Sequence, residues 1–338
     1  ALFYADEWPG GLIFNSKHAA FYPLHSNSQS KALQKKIDEK TMFNKEGHSS
    51  FIYHLSDLHL GPTKKLKAVS NLLDSLDECD QYAHSPHSKQ VFITGDLMNS
   101  PNTKNMYQAN SFMTMIRKRY KADITFVLGN HDMIVKGLSI GGRQRTKVIA
   151  YLLGEKIKVI EKDKIILVKI DSNAGGNLAR GMITRRQLDQ IDSELAGIEN
   201  LEDYTIVVLL HHHVFKVSKS DFLKIRWREK SIFGSILDKS KALVDANMFA
   251  TWLQQRHIKY VLHGHKHVPY FMNKNGTYYI SAGSATGGLK ESESHYYSYN
   301  VLRYDYMDKK MKTCLIFYDD NKKAERKRVE VYLMEEDK

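Results

Sequence analysis

Phe51-Ile52-Tyr53-His54-Leu55-Ser56-Asp57-Leu58-His59-Leu60-Gly61 joins a short β-type run to an Asp-x-His pair, and a Gly61-Pro62 turn follows. Beyond it, Leu66, Val69, Leu72, Leu73 and Leu76 recur at helical spacing. The arrangement then repeats. Val91-Phe92-Ile93-Thr94 reads as a buried strand ending at Gly95-Asp96, and a helix through Phe112, Met113 and Ile116 leads to the strand Ile124-Thr125-Phe126-Val127-Leu128. That strand runs into Gly129-Asn130-His131-Asp132. Alternating strands and helices predict an α/β sheet with covered faces.

Further along, apolar runs at 164–170 and 206–210 read as strands, with a helix from Gln187 between them. The second run meets His211-His212-His213. A helix around 248–253 precedes the strand Tyr260-Val261-Leu262, which meets Gly264-His265-Lys266-His267. β-type runs at 278–281, 299–304, 313–318 and 329–333 predict antiparallel strands added at a sheet edge. Ligands of open α/β sheets sit outside the carboxyl ends of the strands. Five strand ends therefore deliver carboxylate, amide and imidazole groups to one rim.

Each motif has a plainer reading when taken alone. Asp-x-His is common, but a two-residue spacing in an extended segment sends both side chains to one side, as chelation requires. Gly264-His265-Lys266-His267 repeats that spacing, and by the same parity His263 faces the other way as a supporting histidine. Gly-Asp also opens helices; here Gly95 would let the backbone come close to an ion, and Asp96 has two oxygens with which to bridge a pair of ions. Asn130 offers a hard carbonyl oxygen and His131 a proton, against the alternative of a tight turn with a left-handed Asn. In the histidine run, His211 is the first residue past the strand and is the expected ligand, with His212 as the alternative. Mixed Asp, Asn and His ligation suits Mn, Fe or Zn better than Ca or Mg.

The composition is that of an ordinary globular protein: 338 residues, 42% of them apolar, with a formal net charge of +12. That charge suits an anionic substrate or surface. No run approaches the roughly 18 apolar residues of a membrane span. Cys79 and Cys314 do not make a disulfide framework, so a reducing, cytoplasmic setting is expected. Residues 1–20 lack the basic and small-residue features of a signal peptide. Basic clusters lie at 117–121, 226–230 and 322–328, where solvated helix faces, a loop or a tail are the plainer reading. Residues 1–48 read as an N-terminal extension, 49–305 as the domain, 214–245 as a basic lid within it, and 306–338 as a C-terminal strand extension.

Asp57-Leu58-His59, Gly95-Asp96, Gly129-Asn130-His131-Asp132, His211 and Gly264-His265-Lys266-His267 together resemble the calcineurin-like metallophosphoesterase superfamily over roughly residues 50–305. Asp171-Ser172-Asn173, Gly181 and Gln187-Leu188 resemble a block of its cyclic-nucleotide phosphodiesterase branch, as do Ser281-Ala282-Gly283-Ser284 and Tyr299-Asn300-Val301. The resemblance implies a four-layer αββα sandwich of two mixed sheets flanked by helices. It also implies two divalent transition-metal ions. One would be held by Asp57, His59, Asp96 and His267, the other by Asp96, Asn130, His211 and His265. His131 and Asp132 are the residues expected at the catalytic step, His131 as acid or stabiliser at the leaving oxygen. His213-Val214 departs from the family's frequent Pro-Pro.

The activity these features predict is hydrolysis of a phosphodiester, a small nucleotide first, by water that the two ions activate. A DNA or RNA nuclease is the runner-up, since Leu55–Gly61 also resembles the first block of DNA-repair nucleases and the chain is basic. A phosphomonoesterase or pyrophosphatase follows, and then a non-catalytic scaffold of the same fold.

Overall fold

The computed structural model describes residues 49–61, 66–81, 88–135, 138–139, 154–174, 180–215, 243–286, 296–319 and 329–334. The extension 1–48, the greater part of the expected lid (216–242) and the basic cluster 322–328 lie outside the described residues.

Strand β1 (Ser49–Leu55) is buried along its whole length, and its two faces serve two cores. Phe51, Tyr53 and Leu55 meet helices α1 (Leu66–Gln81) and α2 (Thr103–Tyr120), packing with Val69, Leu72, Leu76, Phe112 and Ile116. Ile52 points the other way into a core shared with a second sheet. A two-residue period in a strand covered on both sides produces this division. β1 pairs in parallel with β2 (Ser88–Thr94), and β2 with β3 (Asp123–Val127).

A two-residue hairpin pair, β4 (Ile134–Val135) and β5 (Leu138–Ser139), follows. The second sheet then begins: β6 (Ile157–Ile160), β7 (Ile165–Lys169), β8 (Thr205–Leu209), β9 (Tyr260–His263), β10 (Pro269–Lys274) and β11 (Thr277–Ala282). Their order is β10-β11-β9-β8-β7-β6, with β7, β8, β9 and β11 parallel and β6 and β10 antiparallel at the edges. Helices α3 (Arg185–Ala196) and α4 (Ala246–Gln255) cover its outer face through Leu188, Ile191, Phe249 and Trp252. Finally β12 (Tyr296–Asp305), β13 (Lys310–Asp319) and β14 (Val329–Met334) extend the first sheet to the order β14-β13-β12-β1-β2-β3.

The result is helices, sheet, sheet, helices, the αββα sandwich with two mixed sheets. Ile52, Phe92, Leu167, Leu209, Leu262 and Leu302 fill the space between the sheets, each worth about 1.5–3 kcal/mol on burial. Of the four late runs expected as antiparallel edge strands, β12, β13 and β14 are antiparallel, although β12 is interior, lying between β1 and β13; the run at 278–281 is β11, inside the second sheet and parallel to β9. Besides the short β4–β5 pair, two strands of the main sheets escaped the sequence reading. β6 carries Lys158 in a four-residue edge run, and β10 opens on Pro269 and ends in polar residues, so neither shows a clean apolar pattern. The cluster at 117–121 is the last turn of α2 and its left-handed cap Lys121, where cations meet the helix dipole and Arg119 ion-pairs with Asp77. No helix of the described residues is long and apolar enough to cross a membrane.

Candidate metal centre

All the residues expected at the rim meet at one end of the sandwich. Asp57 and His59 follow β1, Asp96 follows β2, Asn130 and His131 follow β3, His211 follows β8, and His265 and His267 follow β9. Backbone hydrogen bonds from Asp57 N to Gly95 O (3.0 Å) and from His59 N to Asp96 O (2.9 Å) run the first two loops side by side. The expected extended alternation is not what aligns the pairs. Asp57 (φ 53°), His59 (φ 45°), Asp96 (φ 49°), His265 (φ 77°) and His267 (φ 55°) are all left-handed, a conformation costing L-residues roughly 1–2 kcal/mol each. Asn130 is not among the positive-φ residues, so the left-handed turn does not account for it.

The side chains form two facing pairs of imidazoles. His59 Nε2 and His267 Nε2 lie 3.1 Å apart, with Asp57 Oδ1 3.2 Å from His267 Nε2. His211 Nε2 and His265 Nδ1 lie 3.2 Å apart, and Asn130 Oδ1 is 3.1 Å from each. Asp96 Oδ2 stands between the pairs, 3.8 Å from His59 Nε2 and 3.4 Å from His211 Nε2. Ligand atoms of Asp57, His59, Asp96 and His267 all fall within 4.8 Å of one another. Two ring nitrogens face to face need a proton or a cation between them, because two lone pairs repel. Asp57, His59, Asp96 and His267 bring carboxylate and imidazole donors together as a group that could hold a metal ion.

Electrostatics agree with that use. Burial pushes His59 down to about 3 and His265 well below the ordinary histidine value, leaving neutral rings with lone pairs. Burial opposes charge on Asp57 and Asp96, but the attraction of His267 for the first and of His211 for the second outweighs it and keeps both carboxyls low. Burial likewise opposes charge on His211, and Asp96 overrides it, lifting the ring to about 9, so a cation taken up at its Nε2 would displace a proton. His211 Nδ1 donates to Thr94 O at 2.8 Å, which fixes the tautomer and turns Nε2 towards Asp96. His212 packs its ring on His265 with centroids 4.4 Å apart but holds Nδ1 2.8 Å from Ser172 Oγ, so of the two histidines weighed from sequence it is His211 whose Nε2 lies beside Asp96 and Asn130.

Close packing holds the loops. A Cβ on Gly264 would lie 1.8 Å from Ser56 Oγ and 2.5 Å from Asp57 Oδ2, so only glycine lets the β9 loop approach the β1 loop. Gly95 has the same role towards His211, whose Nδ1 would lie 2.4 Å from an added Cβ. Asp132 is wholly buried and accepts from Gly129 N (2.9 Å), Leu97 N (3.2 Å) and Met98 N (2.7 Å), knotting the Asp96 and Asn130 loops together. Burial first, then the charge of Asp96, raises its pKa to about 7. His131 is half-buried; its Nδ1 lies 3.3 Å from Asn99 O and its ring stands edge-on to His59.

The profile of the calcineurin-like phosphoesterase family matches residues 52–269. The chain belongs to that family. Its members typically bind two divalent metals, and the Asp/His cluster of this chain is one that could hold a metal. Solved structures similar to this family member include a putative 5'-nucleotidase from Staphylococcus aureus (16% identity, TM-score 0.41, covering 78% of this chain and 52% of that one). A phosphopantetheinyl hydrolase from Mycobacterium tuberculosis is 13% identical, with a TM-score of 0.40, covering 71% and 92%. Zinc-complexed Vps29 from Entamoeba histolytica is 14% identical, with a TM-score of 0.36, covering 84% and 98%. Comparison with curated proteins returned no match.

Several supporting residues were not legible in the sequence. Thr94 acts through its carbonyl, which carries no sequence signal. Ser284 Oγ and Thr286 Oγ1 donate to Asp57 O (2.9 Å) and Leu58 O (2.6 Å), holding the first loop from a segment more than 220 positions away. His213 stacks on His265 with centroids 5.6 Å apart where the family often has proline.

Proposed function

We propose that this chain is a phosphodiesterase hydrolysing a small nucleotide or similar phosphodiester. Asp57, His59, Asp96 and His267 would hold one divalent ion, and Asp96, Asn130, His211 and His265 the other, as Mn, Fe or Zn. When bound, such ions supply Lewis acidity to the phosphate oxygens and make a water nucleophilic near neutral pH. The chain's own residues orient and protonate. Thr94 sets the His211 tautomer, and Asp132 is a positioning residue that keeps the Asp96 and Asn130 loops in register. With Nδ1 at the Asn99 carbonyl, His131 keeps Nε2 for the leaving oxygen, a proton transfer worth about 10²–10⁴ in rate.

The observation that carries this reading is the pair of facing imidazole couples sharing Asp96 Oδ2. Preference for a diester rests on the segment that resembles the cyclic-nucleotide branch. Gln187 clamps Asp171 in both directions (2.7 Å from Asp171 N and 2.9 Å to Asp171 O), Asn173 Nδ2 donates to Leu128 O at 2.9 Å, and Gly181 packs against the His212 side chain. This unit ties the ends of β7 and β3 across the sandwich.

Hydrolysis of a chromogenic phosphodiester beside its monoester, with Mn²⁺ and with chelator, tests the proposal. Chelator-sensitive preference for the diester is expected. Monoester preference would move the chain to the phosphatases, and salt-sensitive cleavage of DNA or RNA in place of small diesters would make it a nuclease.

A further inference from the structure

The opposite end of the sandwich, where the strands begin, carries a second polar cluster between the sheets. Asp163, in the turn between β6 and β7, is completely buried. Its Oδ2 accepts from Ser88 Oγ and, at 3.4 Å, from Gln90 Nε2; its Oδ1 has no hydrogen-bond partner. Gln90 Oε1 and Ser50 Oγ, both buried, have none either. Ser50 lies opposite Ser88 in the β1–β2 register and opposite Tyr304 in the β1–β12 register, on the inward face that also carries Ile52. Tyr304 Oη donates to Thr205 Oγ1 at 2.6 Å across the sheets; burial raises its pKa first, with smaller contributions from Asp305 and then Asp163.

Among the described residues no Lys, Arg or His nitrogen lies within ion-pair distance of Asp163. Lys162 beside it is exposed, and Lys164 pairs with Glu161. An uncompensated buried carboxylate costs several kcal/mol, and neutral hydrogen-bond donors alone do not cancel its charge. The unused atoms are all oxygens: a carboxylate, an amide carbonyl and a hydroxyl. Hard cations take such ligands, whereas nitrogen and sulfur donors that favour transition metals are missing from the set.

We propose that Asp163 Oδ1, Gln90 Oε1 and Ser50 Oγ form a site for a hard cation of the calcium or sodium kind, joining β1 and β2 to the β6–β7 turn. The site lies at the far end of the strands from the metal centre and does not rest on the phosphodiesterase reading. With one carboxylate its affinity is modest, since ligand charge tunes affinity in such sites.

Thermal unfolding of the full chain in an Asp96→Ala background, which removes the shared carboxylate at the other end, tests it. Ca²⁺ and Na⁺ are titrated in separate arms at constant ionic strength, with choline chloride as the balancing salt. One cation is expected to raise Tm saturably, by roughly 5 °C at a hundredfold excess over Kd, and the arm that responds identifies its charge. The rise disappears when Asp163→Asn is added. No saturable rise in either arm, or an equal rise with Asp163→Asn, overturns the site. Should Asp163→Asn fail to fold, Ser50→Ala decides: a several-fold higher cation requirement supports the site, and an unchanged requirement overturns it.

Discussion

The two sheets bring different chemistry to the rim. The first contributes both carboxylates, the amide oxygen and a single ring among the clustered donors: Asp57, Asp96, Asn130 and His59. The second contributes imidazoles alone: His211, His265 and His267. Neither set would hold two divalent ions by itself, since one lacks enough nitrogen and the other lacks any charge to offset. Each facing couple takes one ring from each sheet, His59 with His267, or adds first-sheet oxygens to second-sheet rings, as at Asn130. The site is a property of the closed sandwich, and packing between the sheets is a precondition for its chemistry.

Asp96→Ala breaks this division most severely, because one oxygen stands between the two couples. Both metals and hydrolysis should be lost together, read by metal analysis of the purified variant; full occupancy would show that Asp96 is not shared. His131→Ala should cost about 10²–10⁴ in turnover with metal content unchanged, and a native rate would take His131 out of the reaction. Gly264→Ala probes the seam directly. The added Cβ has to push Ser56 and Asp57 aside, so a loss of about 1–3 kcal/mol is expected in denaturant unfolding, and an unchanged midpoint would mean the loops can separate freely.

The smallest effect concerns pH. Burial, then the like charge of His263, pushes His54 down to about 3, so it is neutral in the fold but titrates near 6.5 when unfolded. Below 6.5 the unfolded chain binds the extra proton, and stability falls as pH drops towards 3, by up to about 1.4 kcal/mol per pH unit for this group. His54→Gln should flatten that acid slope by one proton's worth. An identical slope would show that His54 is not buried as a neutral ring between Thr94 (2.9 Å) and Asn300 (3.1 Å).

Much of the architecture could be read from sequence because apolar strands and polar strand ends alternate so regularly. Asp57, Asp96, Asn130 and His265 were recognisable because each stands just past such a strand. Other features had no local signal. Asp132 reads in sequence as part of a catalytic tetrapeptide, yet two of its three backbone hydrogen bonds, from Leu97 N and Met98 N, arise only when two loops meet. The strand-like parity argument for Asp57 and His59 pointed to residues that do cluster, but through the wrong geometry, because left-handed backbone, invisible in a sequence of non-glycine residues, turns them inward.

Those left-handed positions also bear on what holds the rim together. Five clustered residues occupy a conformation that glycine would adopt at no steric cost. Backbone strain of roughly 1–2 kcal/mol at each is stored in these loops, and the packing of the two sheets has to carry it.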